Sequence, residues 1–250
     1  VDPVTVNISR GLTPQGTATW AAIAELARRV PIDEWMIVGG QMVAIHSAES
    51  GRDAPRPTTD GDIVVDVRRH SRDAMQRVTT ALLDMGFELH RSAEEVSTFR
   101  RDDGARIDLL APDGMTDPVH TQPPARAIQA PGTTQALQRS EEVEVDYGAG
   151  TVVVRRPSLL GAAIAKAAAT GIPATAAERL RHEQDFLFLI ELIGINNDPR
   201  DLAHDLDRKD RQRLQAAAER LLADPTHPAW LSVTSERDVR TVIDFLLDTR

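Results

Sequence analysis

The sequence predicts an α/β (α+β) fold, with a small mixed sheet flanked by helices in residues 1–156 and an all-α domain in residues 157–250. Three observations predict it. Short apolar runs such as Trp35-Met36-Ile37-Val38 and Ile63-Val64-Val65 alternate with amphipathic stretches through the first part of the chain. Glycine turns punctuate them at Gly39-Gly40, Gly61, Gly104 and Gly148-Ala149-Gly150. From Pro157 onward the strand texture gives way to alanine- and leucine-rich helical patterns.

The elements follow in order. Residues 18–29 form an amphipathic helix with Trp20, Ile23, Leu26 and Ala27 on one side, ended by Pro31. Residues 35–38 read as a buried strand, Gly39-Gly40 as a tight turn and 41–47 as a helix. The Arg-, Pro- and Thr-rich segment 51–59 is a loop. A strand at 62–67 leads to a helix at 70–85 with Met75, Val78, Leu82 and Met85 on its inner face. Short strands follow at 87–91, 97–101 and 106–110. Residues 112–140 lack a pattern and are expected to form a long loop. A hairpin spans 142–147 and 151–155, and helices are expected at 158–169, 175–193, 207–222 and 236–248.

Composition bounds the function. No apolar run approaches the roughly 18–20 residues that cross a bilayer, and the first residues are too polar for a secretory signal. The absence of cysteine excludes disulfides and thiolate ligands, so a cytoplasmic protein without a membrane partner is expected. The net charge of −9 argues against a general polyanion binder. Lys166 and Lys209 are the only lysines. Arginines cluster at 28–29, 68–72, 100–101, 155–156 and 208–213; each reads most simply as a solvated end, although one such cluster could still form a local basic groove for RNA.

The chemistry concentrates around Asp60-Gly61-Asp62, although Thr-Asp-Gly-Asp is also ordinary turn material. Residues two apart on a strand share a face. Two such carboxylates repel by roughly 4 kcal/mol at 4 Å in an effective dielectric near 20. A divalent cation reverses that repulsion, and paired Asp oxygens suit Mg²⁺. Asp108 sits in the apolar run Ile107-Asp108-Leu109-Leu110, where a buried carboxylate needs either an arginine or a metal. If its strand lies beside 62–67, three acids can hold two Mg²⁺ ions roughly 3.5–4 Å apart. Gly39 and Gly40 would let phosphate approach backbone N–H groups at a helix start.

Other candidates carry two readings. His46 in its apolar run reads as a core residue. Lys166, in an otherwise apolar helix, is either a snorkelling side chain or a point charge aimed at a triphosphate. Asp185 shares a polar stripe with Glu178 and Arg181, which alone would be an ordinary wet face.

The series Gly39-Gly40, Arg56-x-Thr58-x-Asp60-x-Asp62, Asp108 in an Ile-Asp-Leu-Leu strand, then Lys166 and Asp185 on helices, resembles the polymerase-β-like nucleotidyltransferase superfamily. Within it the chain looks most like AbiEii-type toxins of toxin–antitoxin and abortive-infection systems, including the mycobacterial MenT-like tRNA nucleotidyltransferases. The resemblance covers most of residues 33–195. It implies that Gly39, Gly40, Arg56 and Thr58 contact the nucleotide, and that Asp60, Asp62 and Asp108 bind Mg²⁺, Asp108 acting near the attacking hydroxyl. Lys166 would touch the triphosphate, and Asp185 would match the acid of a Lys-Asp helix motif. Gln184 stands where that motif has lysine, and Gly40 stands where a serine is usual.

The expected activity is Mg²⁺-dependent transfer of a nucleoside monophosphate from an NTP to the 3′ end of tRNA, as a growth-inhibiting toxin with a cognate antitoxin. Transfer to a protein or to a small molecule such as an antibiotic is the same-fold alternative. A non-catalytic nucleotide-binding module is the alternative from another class. No carboxylate-x-Lys on a strand supports a metal-dependent nuclease.

Overall fold

Two sheets and nine α-helices account for the computed structural model, which describes residues 5–91, 97–122, 125–172 and 175–248. The strands are β1 (Thr5–Asn7), β2 (Trp35–Val38), β3 (Gly61–Val65), β4 (Glu88–Arg91), β5 (Ser97–Arg100), β6 (Arg106–Pro112), β7 (Ile128–Ala130), β8 (Ser140–Asp146) and β9 (Thr151–Pro157). The helices are α1 (Pro14–Arg29), α2 (Gly39–Glu49), α3 (Asp73–Asp84), α4 (Thr133–Gln138), α5 (Leu159–Ala169), α6 (Ala176–Asn196), α7 (Pro199–Ala203), α8 (Arg208–Leu222) and α9 (Glu236–Leu247).

The larger sheet runs β2-β3-β6-β5-β4, with β7 added beside β6. It is mixed: β2 is antiparallel to β3, β3 parallel to β6, and β6 antiparallel to β5. The smaller sheet is β1-β8-β9. Every strand lies before Pro157 or ends there, and all structure after it is helical, as the change of texture predicts. The main hydrophobic cluster nevertheless runs from Val6 to Leu246 without a break between the two halves. Among the described residues no helix is long and apolar enough to cross a membrane.

Alternation along the strands sorts the two faces of the large sheet. Ile63, Val65, Ile107 and Leu109 face the main core with α1 and α3. Met36, Val38, Val64 and Leu110 face the other way, and Ala136 and Leu137 of α4 with Ala165 of α5 cover them. Asp62 and Asp108 lie on this second face, one step along from Val64 and Leu110. The helical cover stops there, and the acids stand at its edge.

Four elements escape the sequence patterns. β1 pairs in parallel with β8, a partner more than a hundred residues away. Within the expected loop 112–140, β7 pairs with β6, and α4 packs Ala136 and Leu137 on the sheet. Asp113 anchors that segment by accepting hydrogen bonds from Gly132 N, Thr134 N and the Arg213 guanidinium. Part of the expected loop, residues 123–124, lies outside the described residues. The five-residue α7, capped by the Asp198 side chain, was also unmarked by periodicity.

His46 is buried, as its apolar run predicts. Its Nε2 lies 3.1 Å from Pro157 O and 3.3 Å from Arg156, and its Nδ1 is 3.3 Å from Glu49. Arg155 and Arg156 depart from the solvated reading of arginine pairs: both are buried, and Arg156 joins Glu49 and Glu141 at 2.5 Å each. A His46→Ala variant is expected to lower the urea midpoint by the equivalent of about 1–3 kcal/mol with the m-value unchanged. An unchanged midpoint would take His46 out of the core network.

Candidate active site

Strand β3 is the spine of the site. Its register pairs Asp62 with Val38 of β2 on one side and with Asp108 of β6 on the other. Asp108 in turn faces Thr98 of β5. Parallel pairing of β3 with β6 therefore brings Asp62 and Asp108 side by side, and Asp60 is two residues before Asp62 at the head of the same strand.

The glycine pair is fitted to the acids. Val38 ends β2 and α2 begins at once, which Gly39 permits by adopting φ +65°. A side chain at position 39 is also excluded by contact: a Cβ there would lie 1.7 Å from Asp62 Oδ2. At Gly40 a Cβ would lie 2.5 Å from Thr58 Oγ1. The Gly40 N–H lies near the Asp62 carboxyl and favours its ionised form. In this structure the first turn of α2 thus receives an anion, and that anion is Asp62.

Segment 58–60 is held from three directions. Thr58 Oγ1 donates to Asp60 Oδ1 at 3.3 Å, Gln41 Nε2 donates to Asp60 O at 3.2 Å, and Thr19 Oγ1 donates to Thr59 O at 2.8 Å. Trp20 Nε1 fixes Gln41 by donating to its Oε1 at 2.8 Å.

Burial, then the charges of Asp60 and Asp108, push the Asp62 carboxyl up to about 7, against the opposing pull of Lys166 and the Gly40 N–H. Part of the Asp62 surface still reaches solvent through the cleft. Asp108 is buried and fully engaged: Thr98 Oγ1 donates to it at 2.6 Å, and the Arg106 guanidinium forks onto it at 3.3 and 2.7 Å. Among the described residues no group of three acidic or histidine side chains stands ready to hold a metal ion. The donor chemistry still fits a hard divalent cation. Three carboxylates lie near one another at the β3–β6 pair, and Asp62 is raised by burial first and then by the other two, as in a site short of positive charge.

Across from the acids lies a cluster of cations. Lys166 of α5 and Asp185 of α6 are both buried, and Lys166 Nζ lies 2.8 Å from Asp185 Oδ2. Arg56, from the loop before β3, forks onto the same carboxylate at 3.2 and 2.9 Å. Neither the snorkelling lysine nor the wet polar stripe is therefore found at these two positions; only Glu178 and Arg181 of that stripe are exposed. Burial alone would push Asp185 up, but Lys166 and Arg56 overcome it and hold the carboxyl below its ordinary range. The local capping supports the geometry: Ser158 caps α5 at Gly161 N, and Thr175 with Glu178 closes a capping box on α6.

Three further residues belong to the site: the arginine that the sequence reading allowed as partner of Asp108 is Arg106, and Thr98 and His182 were passed over. Arg106 lies two residues before Asp108 and shares its face, a relation strand alternation does predict. Thr98 becomes visible only through the β5–β6 register. His182 sits one turn before Asp185, and burial followed by the charge of Lys166 pushes it down to about 4. A cavity of about 600 Å³ adjoins the site on the Arg56–Thr58 side, between α2 and residues 7–12. A larger one, of about 700 Å³, lies at the far end of β3 beside Asp66 and Arg69 and touches none of the acids.

No family model matches the chain, and no curated protein matches it. Among solved structures it is similar to the crystal structure of an antigenic nucleotidyltransferase-like protein from Paracoccidioides brasiliensis, with 15% sequence identity and a TM-score of 0.47 over 92% of each chain.

Two predictions test this geometry. Folded Asp62 holds its proton to about pH 7, whereas the ordinary value is 3.8. The fold therefore binds more protons than the unfolded chain between these values and loses stability as pH rises through that window. Asp62→Asn is expected to be more stable than wild type at pH 8 by on the order of 2 kcal/mol in metal-free buffer. That advantage should disappear as pH falls toward 4; a pH-independent difference in melting would mean the acids do not share one field. Asp185→Ala leaves Lys166 and Arg56 facing each other without a counter-ion and is expected to cost about 3–5 kcal/mol. Lys166→Ala, which keeps the Arg56–Asp185 pair, should cost less. Chemical denaturation that reversed this order would separate Arg56 from the buried cluster.

Proposed function

We propose that this protein is a nucleotidyltransferase that moves a nucleoside monophosphate from an NTP to an acceptor hydroxyl. One observation carries the reading: the β2-β3-β6 register gathers Asp60, Asp62 and Asp108 beside a glycine turn, opposite the buried Lys166–Asp185–Arg56 cluster. Acids and cations facing each other across a cleft suit a reaction in which a polyphosphate is bound and cleaved. In that reaction the acceptor oxygen bonds to the α-phosphorus, the bond from that phosphorus to the bridging oxygen breaks, and pyrophosphate leaves with the electron pair. The hydroxyl proton passes to a carboxylate of the acid row.

Asp60, Asp62 and Asp108 are the residues that would hold Mg²⁺. When bound, the ion neutralises charge on the phosphates and favours the ionised acceptor oxygen. The chain's own residues supply the rest. Gly39 and Gly40 let Asp62 and Thr58 pack against the first turn of α2; its N–H groups would serve a phosphate only where Asp62 turned away to the cation. Arg56 and Thr58 line the adjoining cavity and would bind and orient the nucleotide. Lys166 and Arg56 would stabilise the charge that develops on departing pyrophosphate, and Asp185 keeps both cations in place. Burial of His182 keeps it neutral beside them, which spares the site a third competing cation.

In this reading the acceptor is the 3′ end of tRNA, the consequence is growth arrest, and a cognate antitoxin restrains the protein in the cytoplasm. The resemblance of the Gly-Gly, Arg-x-Thr-x-Asp-x-Asp and Ile-Asp-Leu-Leu series to AbiEii- and MenT-type toxins supports these finer assignments.

The test is to incubate the protein with Mg²⁺, each α-labelled NTP in turn, and total tRNA, and to follow the label. Label on tRNA with one preferred NTP is expected, with Asp60→Asn and Asp62→Asn reduced by at least about a hundredfold while remaining folded. Label on protein or on a small molecule would move the acceptor to another class. Equal transfer by wild type and both variants would remove the acid pair from the chemistry, and no transfer to any acceptor would leave a binding module.

A further inference from the structure

The acid row continues across the sheet. Asp62, Asp108, Thr98 and His90 are successive register partners on β3, β6, β5 and β4. The neighbouring row holds Arg106, Arg100 and Glu88, and Asp60 precedes β3 on the side of Arg106, whose charge it feels. The apolar side chains of α4 and α5 pack on this face at Val64 and Leu110. Beyond them Arg100, His90 and Glu88 are exposed, and the Arg106 side chain is 36% exposed. An open strip of sheet thus leads from the acids towards β4, with two directly paired arginines at its centre.

Arg106 has a second property. Its fork, together with Thr98, engages both oxygens of Asp108, so a cation seeking Asp108 competes with a guanidinium for the same lone pairs. A phosphate could displace that contact, because it offers the same bidentate geometry and can reach Arg100 as well. Asp108 would then keep Thr98 and turn its free oxygen to the cation.

Building on the nucleotidyltransferase reading, we propose that Arg106 and Arg100 form the site for a backbone phosphate of a nucleic-acid acceptor, whose arrival draws Arg106 off Asp108 and completes the acid row. Arg106 is a positioning residue in this scheme: it withholds the third carboxylate until the acceptor is seated. Hydrolysis of NTP without an acceptor is thereby suppressed. A nucleic acid suits the strip better than a protein does, because its backbone supplies phosphates to both forks whatever its sequence.

The test uses the full chain and two measurements that need no turnover. One is the affinity for a short single-stranded oligoribonucleotide with a free 3′ hydroxyl, without NTP or metal. The other is Mn²⁺ binding by electron paramagnetic resonance, without oligonucleotide. Arg106→Gln is expected to weaken oligonucleotide binding on the order of tenfold, with a salt slope lower by about one, and to tighten Mn²⁺ binding several-fold. Arg100→Gln should weaken the oligonucleotide similarly and leave Mn²⁺ unchanged. If Arg106→Gln melts early, Arg106→Lys serves instead, keeping the charge without the fork, with intermediate values for both. Unchanged oligonucleotide affinity, unchanged Mn²⁺ affinity in the Arg106 variant, or tighter binding of polyglutamate than of the oligonucleotide would each overturn the proposal. Label transfer by the wild type with none of these effects removes only the Arg106 assignment, whereas no transfer at all removes the transferase reading itself.

Discussion

Asp62 has its place only because residue 39 has no side chain. The carboxylate lies where a Cβ on Gly39 would be, and the left-handed backbone at that glycine lets β2 pass directly into α2. The rest of the site depends on this contact. With Asp62 seated against the turn, β3 has one register against β2 and β6, and slipping by one residue would send Asp62 and Val64 into the main core. That register in turn sets Asp108 beside Asp62, Thr98 beside Asp108, and the edge of the helical cover beyond all three.

The charges on the two sides of the cleft are balanced differently. Asp185 is one anion between two cations, so the Lys166–Asp185–Arg56 cluster holds net positive charge in a buried place. The acid row is the reverse, three carboxylates with Arg106 as their nearest partner. Each side by itself is costly to bury; burial first, and then the like charges of each side, raise Asp62 among the acids and lower His182 beside the cations. Perturbation of this kind at one cleft, from the combined effect of burial and named charges, is characteristic of functional sites. Ion pairs elsewhere in the chain, such as Arg139 with the buried Asp210 or Arg156 with Glu49 and Glu141, do not set three carboxylates side by side.

Much of this was legible in the sequence because local chemistry and periodicity agree there. Asp60-Gly61-Asp62 ahead of an apolar run, and a lone Asp108 inside another, mark acids at the edge of a core. The inner face of α3 and the buried faces of α1 and α6 follow from helical spacing. What was not legible depends on pairing over long sequence distances. Nothing local says that Thr5–Asn7 will meet β8, that Ile128–Ala130 will extend the sheet, or that Arg56 and Lys166 will close on one carboxylate. Lys166 illustrates the limit: its helix suggests an exposed or snorkelling cation, and only the position of α6 turns it into a buried one.

The arginine-rich composition looks different once the structure is considered. Several of the clustered arginines are internal braces: Arg155 and Arg156 are buried, Arg101 pairs with Asp103 and Glu25, Arg211 donates to Leu246 O and Ala203 O, and Arg213 reaches Asp113. Around the acid row positive charge is placed at points, at Lys166 and Arg56 on one side and at Arg106 and Arg100 on the other. Recognition of a phosphate-bearing substrate by such a protein has to come from those points, with long-range attraction contributing little. An overall charge of −9 repels nucleic acid at a distance, and screening limits that repulsion to about 8–10 Å at physiological ionic strength. Inside that range paired guanidinium groups on a rigid sheet decide the outcome, so the net charge of the chain and the local chemistry of its cleft can point in opposite directions without conflict.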